Sequence, residues 1–165
     1  MAMSDSLLGE FDNEMAATRK TLERVPEDKF GWKPHAKSFS FQELASHLAN
    51  IPAWVDSMLG QDSYTVPEDF KTPQASSTAE LVKFFDENVA AARKALASTT
   101  DQAFNAPWTL KSRDQEYFTL PRIAVYRSFI ISHSIHHRAQ LGVYLRLNDI
   151  AVPAVYGPSA DEQSM

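Results

Sequence analysis

The sequence contains no cysteine in its 165 residues. That excludes a disulfide scaffold, a protein thiolate nucleophile, and any zinc or iron–sulfur site built on cysteine. A transition metal, if held, must be held by imidazole and carboxylate. Surplus positive charge is missing too. Lys plus Arg number 16 against 21 Asp plus Glu, a formal net charge of −5. A nucleic-acid partner needs a basic footprint to displace counterions, so none is expected. There is no long apolar run. The most apolar stretch, Leu120 to Ile131, is interrupted by Arg122 and Arg127, whereas a membrane span requires ~20 uncharged residues. The start carries Asp5, Glu10 and Asp12 rather than a cationic leader. No membrane partner and a cytoplasmic location are the expectation. There is no fixed-period repeat and no low-complexity tract. At this length one domain spanning 1–165 is expected, with the tail 160–165 frayed.

What is present is helical periodicity. Leu7, Phe11, Met15, Thr18, Leu22 and Val25 recur at spacings of four and three, one stripe of an amphipathic helix from about Ser6 to Val25. Pro26 ends it. Residues 26–39 hold Phe30 and Trp32 and read as an ordered loop. Ser40-Phe41-Gln42-Glu43 fits a capping box, with Phe39 and Leu44 placed for a hydrophobic staple. The stripe Leu44, Leu48, Ile51, Trp54, Val55, Met58 continues that second helix to Gly60. Pro52 should kink it, because proline removes an amide donor.

Residues 61–76 read as a long crossover. Ser77-Thr78-Ala79-Glu80 offers a second capping box ahead of the stripe Leu81, Phe84, Phe85, Val89, Ala92, Ala95, Leu96. Between Ala106 and Thr119 a short β-hairpin and an irregular loop fit equally well. A fourth helix is expected from near Thr119, with Pro121 in its first turn, to about Leu147. Its stripe runs Ile123, Tyr126, Ile130, His133, His137, Gln140, Leu141, Tyr144, Leu145. Four striped helices of about twenty residues make a helix bundle the economical all-α architecture.

Four of the five histidines fall on these helices. His133 and His137 are four apart, so their side chains rise from one face and can meet at a point. His47 lies on the apolar side of the second helix beside Leu44, Leu48 and Ile51. Packed together, the two helices would bring three imidazoles into the core. Burying polar rings without partners costs stability, and a divalent metal removes that cost. Three protein ligands and an open position is the pattern of a catalytic site; imidazoles alone do not choose among zinc, nickel, iron and copper.

His136 points about 100° away from His137 and reads as a neighbour or rim residue. His35, in a loop, has no helical partner. Asn50, three after His47, could face the site from one turn away, but reads first as a packing or exposed residue. Gln140, three after His137, could support that ring. Arg138, directly after a candidate ligand, could support the site by binding an anionic substrate, but reads first as one end of a structural ion pair. Trp32, Trp54 and Trp108 read as core. No Asp or Glu lies within a turn of the fourth-helix histidines, so a carboxylate general base must come from elsewhere; the catalytic residues stay unassigned.

The run His133-Ser134-Ile135-His136-His137-Arg138-Ala139-Gln140-Leu141, followed by Tyr144-Leu145-Arg146, resembles the signature helix of the DinB-like (YfiT-like) metalloenzyme family. Trp32-Lys33-Pro34-His35, Glu43 to Leu48, and Val152 to Ser159 resemble further segments of that family, in order. The departure is Ala139, where the family commonly has glycine. The resemblance implies an antiparallel four-helix bundle with crossover connections, one divalent metal (zinc or nickel most often) on His47, His133 and His137, and a homodimer. It implies a small-molecule substrate and thiol-dependent S-transferase chemistry with a low-molecular-weight thiol such as bacillithiol or mycothiol. A metal-dependent hydrolase and a non-enzymatic, stress-associated metal-binding bundle are the alternatives. Without a cysteine of its own, the protein must take any sulfur nucleophile from solution.

Overall fold

The computed structural model describes residues 2–163. Helix α1 (Met3–Leu22) buries Leu7, Phe11, Met15, Thr18 and Leu22, the stripe that its spacing predicts. Val25, just past its end, is buried as well. Helix α2 (Phe41–Asn50) begins where Ser40 caps it. The Glu43 amide donates to Ser40 Oγ at 3.1 Å, and Glu43 Oε2 accepts from the Ser40 amide at 2.7 Å. Phe39 does not close down as a staple. Its ring stays half exposed.

Pro52 acts as expected. It sits in a 3-10 turn, Ile51–Ala53, that separates α2 from α3 (Trp54–Gly60). Helix α4 (Thr78–Ser98) is capped by Ser77 Oγ, which accepts from the Glu80 amide at 3.0 Å. The return bond of a full capping box shifts by one residue, because the Glu80 carboxylate takes the Ser76 amide at 2.7 Å instead. A short helix α5 (Asp101–Asn105) follows.

The all-α expectation needs a correction. Ser63–Thr65 (β1), Pro107–Lys111 (β2) and Glu116–Pro121 (β3) form a three-stranded sheet in the order β1-β2-β3. β2 and β3 are the hairpin, antiparallel with Trp108 opposite Leu120 and Leu110 opposite Phe118. β1 comes from the segment read as a plain crossover and joins β2 in parallel. A three-residue strand has no periodicity of its own to betray it.

Thr119 and Pro121 therefore end a strand rather than open a helix. The chain turns helical at α6 (Arg122–Val125), passes through a π-helical stretch, Tyr126–Ser132, and continues as α7 (His133–Leu147). Buried Arg122 pins this corner: its guanidinium donates to the carbonyls of Met58 and Gln61 and to Asp62 Oδ1. The protein is thus mostly helical with a small sheet. α1 packs on α4 and α7, and α2 packs on the same two. Between them sit Phe11, Leu44, Leu48, Phe85, Leu96, Tyr126, Ile130, Leu141 and Leu145, all buried. Each such side chain contributes roughly 1.5–3 kcal/mol by leaving water.

No helix among the described residues is long and apolar enough to cross a membrane. The tail is tied where the sequence suggests fraying. Asp161 pairs with Arg146 and accepts from the Val152 amide, and Glu162 pairs with Arg24 and accepts from the Ala154 amide. Residues 164–165 of that expected frayed segment lie outside the described residues.

Candidate metal centre

His47 on α2 and His133 and His137 on α7 meet at one place. One ligand-capable atom from each lies within 4.8 Å of the others. The Nε2 atoms of His47 and His133 are 3.1 Å apart. The ring centroids of His47 and His137 stand 4.7 Å apart, and those of His133 and His137 also 4.7 Å. Tetrahedral zinc, with Zn–N near 2.0–2.1 Å, would set its ligand nitrogens about 3.3 Å apart. The observed spread needs only small side-chain rotations to match. The donor set suits a divalent transition ion.

The partners of the outer nitrogens favour one tautomer for His133 and His137. His137 Nδ1 lies 2.8 Å from Gln140 Oε1, and His133 Nδ1 lies 3.3 Å from the Phe129 carbonyl. Both partners are acceptors, so each Nδ1 carries the proton and each Nε2 keeps its lone pair. This is how metal-binding imidazoles are commonly oriented.

The π-helical stretch makes the second of these bonds available. The backbone N–H of His133 donates to the carbonyls of Ser128 and Ile130, five and three residues back. It skips Phe129, whose carbonyl would be its partner in a regular α-helix. That carbonyl turns to the His133 ring instead.

Electrostatics agree with neutral, ligating rings. Burial and the neighbouring imidazoles of His137 and His133 push His47 down to about 4. Burial lowers His133 and His137 as well. At neutral pH no proton competes strongly for these nitrogens. The three rings are half-buried rather than enclosed in the core. One side of the cluster thus faces solvent, where a small molecule can reach it.

The neighbours sort differently. Gln140 is exposed, off the apolar stripe, and bonds to His137. His136 stands with its ring 4.8 Å from that of His137, on the rim. It lines a cavity of about 460 Å³ together with Ser128, Phe129, Ser132 and His133. Arg138 turns away. It is buried, and donates to the Glu14 carboxylate, the Glu14 carbonyl and the Tyr156 hydroxyl. Asn50 lines a separate 180 Å³ pocket with Ala53, Trp54, Ser57, Tyr64 and Phe70. His35 Nδ1 accepts from the Lys37 amide in its loop.

Of the tryptophans only Trp108 is fully buried. Trp54 stands edge-on to Tyr64, and Trp32 packs between Phe41 and Tyr144. Sequence reasoning missed two side chains. The Phe39 ring lies 6.1 Å from that of His47, and the Phe129 ring 6.3 Å from that of His133. Phe129 was legible in principle, since it precedes His133 by one turn.

Comparison with known proteins follows the same lines. The family described as the DinB superfamily matches residues 10–141, which include all three histidines. The uncharacterized protein YrdA of Bacillus subtilis (strain 168) is 22% identical over 161 residues, 96% of this chain and 90% of that protein. Two crystal structures share the fold. A DinB-like protein from Bacillus cereus ATCC 10987 superposes with a TM-score of 0.70 at 21% identity, covering 92% of this chain and 97% of the other. A DinB-like protein, YjoA, from Bacillus subtilis superposes with a TM-score of 0.72 at 17% identity, covering 97% and 99%.

Proposed function

The chain belongs to the DinB superfamily, and we propose that it is a metal-dependent enzyme, an S-transferase that uses a small thiol from solution. We read the packing of α1, α2, α4 and α7 as the antiparallel four-helix bundle with crossover connections. The observation that carries the function is the pair of Nδ1–H bonds, His137 to Gln140 and His133 to the Phe129 carbonyl. They aim lone pairs at a common point that His47 Nε2 also reaches.

Zinc or nickel is the proposed ion, with iron or copper as less favoured occupants of the same three imidazoles. Such an ion, when bound, lowers the pKa of a thiol or water at its open position. The protein residues do the rest. His47, His133 and His137 hold the ion through neutral nitrogens. Gln140 and the Phe129 carbonyl keep two of the rings from rotating. The apolar flank formed by Phe39 and Phe129 limits water at the mouth. Since the chain has no cysteine, the sulfur nucleophile is a cosubstrate, and its proton leaves to solvent or buffer base. We further propose a cytoplasmic homodimer that binds neither nucleic acid nor membrane.

The test is a paired assay on zinc- and nickel-loaded protein against a panel of electrophiles, with and without a low-molecular-weight thiol. Turnover only with thiol supports the transferase. Turnover in water alone makes the protein a hydrolase. A chain that holds no metal after reconstitution loses both readings.

A further inference from the structure

Three aromatic rings that the metal centre does not use line one small cavity. Trp54, Tyr64 and Phe70 share its wall with Asn50, Ala53 and Ser57, and its volume is about 180 Å³. The centroids of Trp54 and Tyr64 are 4.8 Å apart with planes inclined at 72°, and those of Trp54 and Phe70 are 5.6 Å apart at 55°. Rings so inclined do not form a flat stack; they stand as walls at an angle to one another. Each is delivered by a different piece of the fold. Trp54 opens α3 just after the turn at Pro52. Tyr64 is the middle residue of β1, held opposite Leu110 of β2. Phe70 is brought back by two bonds, the Val66 amide to the Lys111 carbonyl at 2.8 Å and the Phe70 amide to the Pro67 carbonyl at 3.2 Å. The short strand β1 thus has a use, which is to fix Tyr64 beside Trp54.

The rings alone would suit any apolar group, and charge decides among occupants. Neither Lys nor Arg lines the cavity. The segment 54–71, which supplies all three rings, carries Asp56, Asp62, Glu68 and Asp69 against Lys71 alone. Lys71 lines a different cavity, with Lys33 and Phe39. Asp62 and Glu68 are paired with Arg122 and Arg113, which leaves Asp56 and Asp69. An aromatic face carries negative quadrupole charge, so three rings in an acidic stretch of chain attract a cation. A primary ammonium is strongly hydrated and needs acceptors for three donors when it leaves water. No carboxylate lines the cavity to supply them. A quaternary ammonium has no N–H to satisfy, and rings suffice for it. The cavity is also smaller than the roughly 300–1,000 Å³ of a site for a drug-sized ligand, so it takes a headgroup rather than a long chain.

We propose that Trp54, Tyr64 and Phe70 form an aromatic box that binds the quaternary ammonium group of a small free molecule. None of the three clustered histidines lines this cavity, so the site is separate from the metal centre and does not depend on it. Asn50 is its nearest tie to that centre, three residues after His47 on α2. The other cavities lack this character. The one of about 410 Å³ beside Val143 and Tyr156 is lined by Arg138 and Arg146, which repel a cation. The groove of about 660 Å³ between α3 and α4 holds Lys94 and no aromatic ring.

The experiment titrates choline into the full chain, with and without zinc, and follows backbone amide shifts by NMR. The control is choline's neutral analogue, in which a tert-butyl group replaces the trimethylammonium and keeps its shape. Saturable shifts centred on Trp54, Tyr64 and Phe70 are expected, alike with and without zinc. Choline should bind about threefold to thirtyfold tighter than the control, the range of a cation over aromatic faces. Phe70 is 41% exposed, so Phe70→Leu should keep the fold and the apolar bulk while losing much of the preference for the charged probe. Trp54→Leu should lose more, since tryptophan holds a cation best; a thermal melt checks its folding, and Phe70→Leu decides alone where it fails. Equal binding of the two probes, variants that keep the parent's preference, or shifts centred on His133 and His137 overturn the proposal. So does a chain that sediments with phosphatidylcholine vesicles yet does not bind free choline, because its occupant is then a membrane surface.

Discussion

His137 and Gln140 are joined by a 2.8 Å contact between Nδ1 and Oε1, one helical turn apart on α7. The amide oxygen fixes the imidazole proton on the outer nitrogen and so prepares the inner one to ligate. Gln140→Ala should leave the fold intact, because the residue is exposed. It should weaken zinc affinity about 10–100-fold, the usual effect of removing such a partner. A competitive chelator titration measures this. Unchanged affinity would show the bond to be incidental.

The three clustered histidines should behave as a unit, and their neighbour should not. His47→Ala and His137→Ala are expected to abolish the rise in Tm that zinc produces in the parent. His136→Ala should retain it, since His136 stands on the rim. Thermal scans with and without added zinc decide. An equal loss in all three variants would enlarge the cluster to four.

Arg138 illustrates the opposite case, a charged residue adjacent in sequence to a proposed ligand but committed elsewhere. Its buried guanidinium meets Glu14, whose side chain is itself largely shielded. Arg138→Leu takes the cation away from that carboxylate, leaving it the Tyr156 hydroxyl, and should cost roughly 3–5 kcal/mol of unfolding free energy. Urea denaturation gives the number. Zinc stoichiometry, measured well below the melting temperature, should not change.

Ser134 follows His133 directly, is buried, and has a hydroxyl with no hydrogen-bond partner. A stranded buried hydroxyl costs about 1–3 kcal/mol. Ser134→Ala should therefore be neutral or stabilising. A rise in Tm of a few degrees would follow from about 1 kcal/mol in a chain of this size. A clear loss of stability would mean that the hydroxyl has a bound partner such as water.

The capping box at α2 carries a pH dependence of known sign. The Ser40 amide, with help from Lys33, holds the Glu43 carboxyl below its usual 4.5. A depressed carboxylate stabilises the fold above its unfolded pKa, and the contribution is lost as pH falls through the lower folded value. Parent and Glu43→Gln should therefore differ in stability at pH 7 and converge as pH drops below about 4.5. Denaturation at several pH values tests it. A constant difference would assign the effect to packing.

The starts of α2 and α4 and the pairing of His133 with His137 were open to reading along the chain, because each depends on residues within one or two turns; the start of the last helix was not, since Thr119 and Pro121 belong to β3. The Ser40–Glu43 cap, the break at Pro52 and the stripe of α1 are local in the same sense. The short strand β1 was not legible. Three residues carry no usable period, and the strand exists because β2 offers it an edge. Nor was the shift of the return bond from Ser77 to Ser76, where two neighbouring serines compete for one carboxylate.

Arg138 could be assigned to an ion pair from its sequence context, but its partner, 124 residues earlier, could not. Thus the sequence by itself determined which imidazoles stand on which helix faces, through the 3.6-residue period. Only the tertiary structure decided that His47, 86 residues before His133, completes the cluster and that the cluster is left half-buried. Helix periodicity is a property of neighbours in the chain. The meeting of α2 with α7, and the π-turn that lends the Phe129 carbonyl to His133, are set by packing across the whole core.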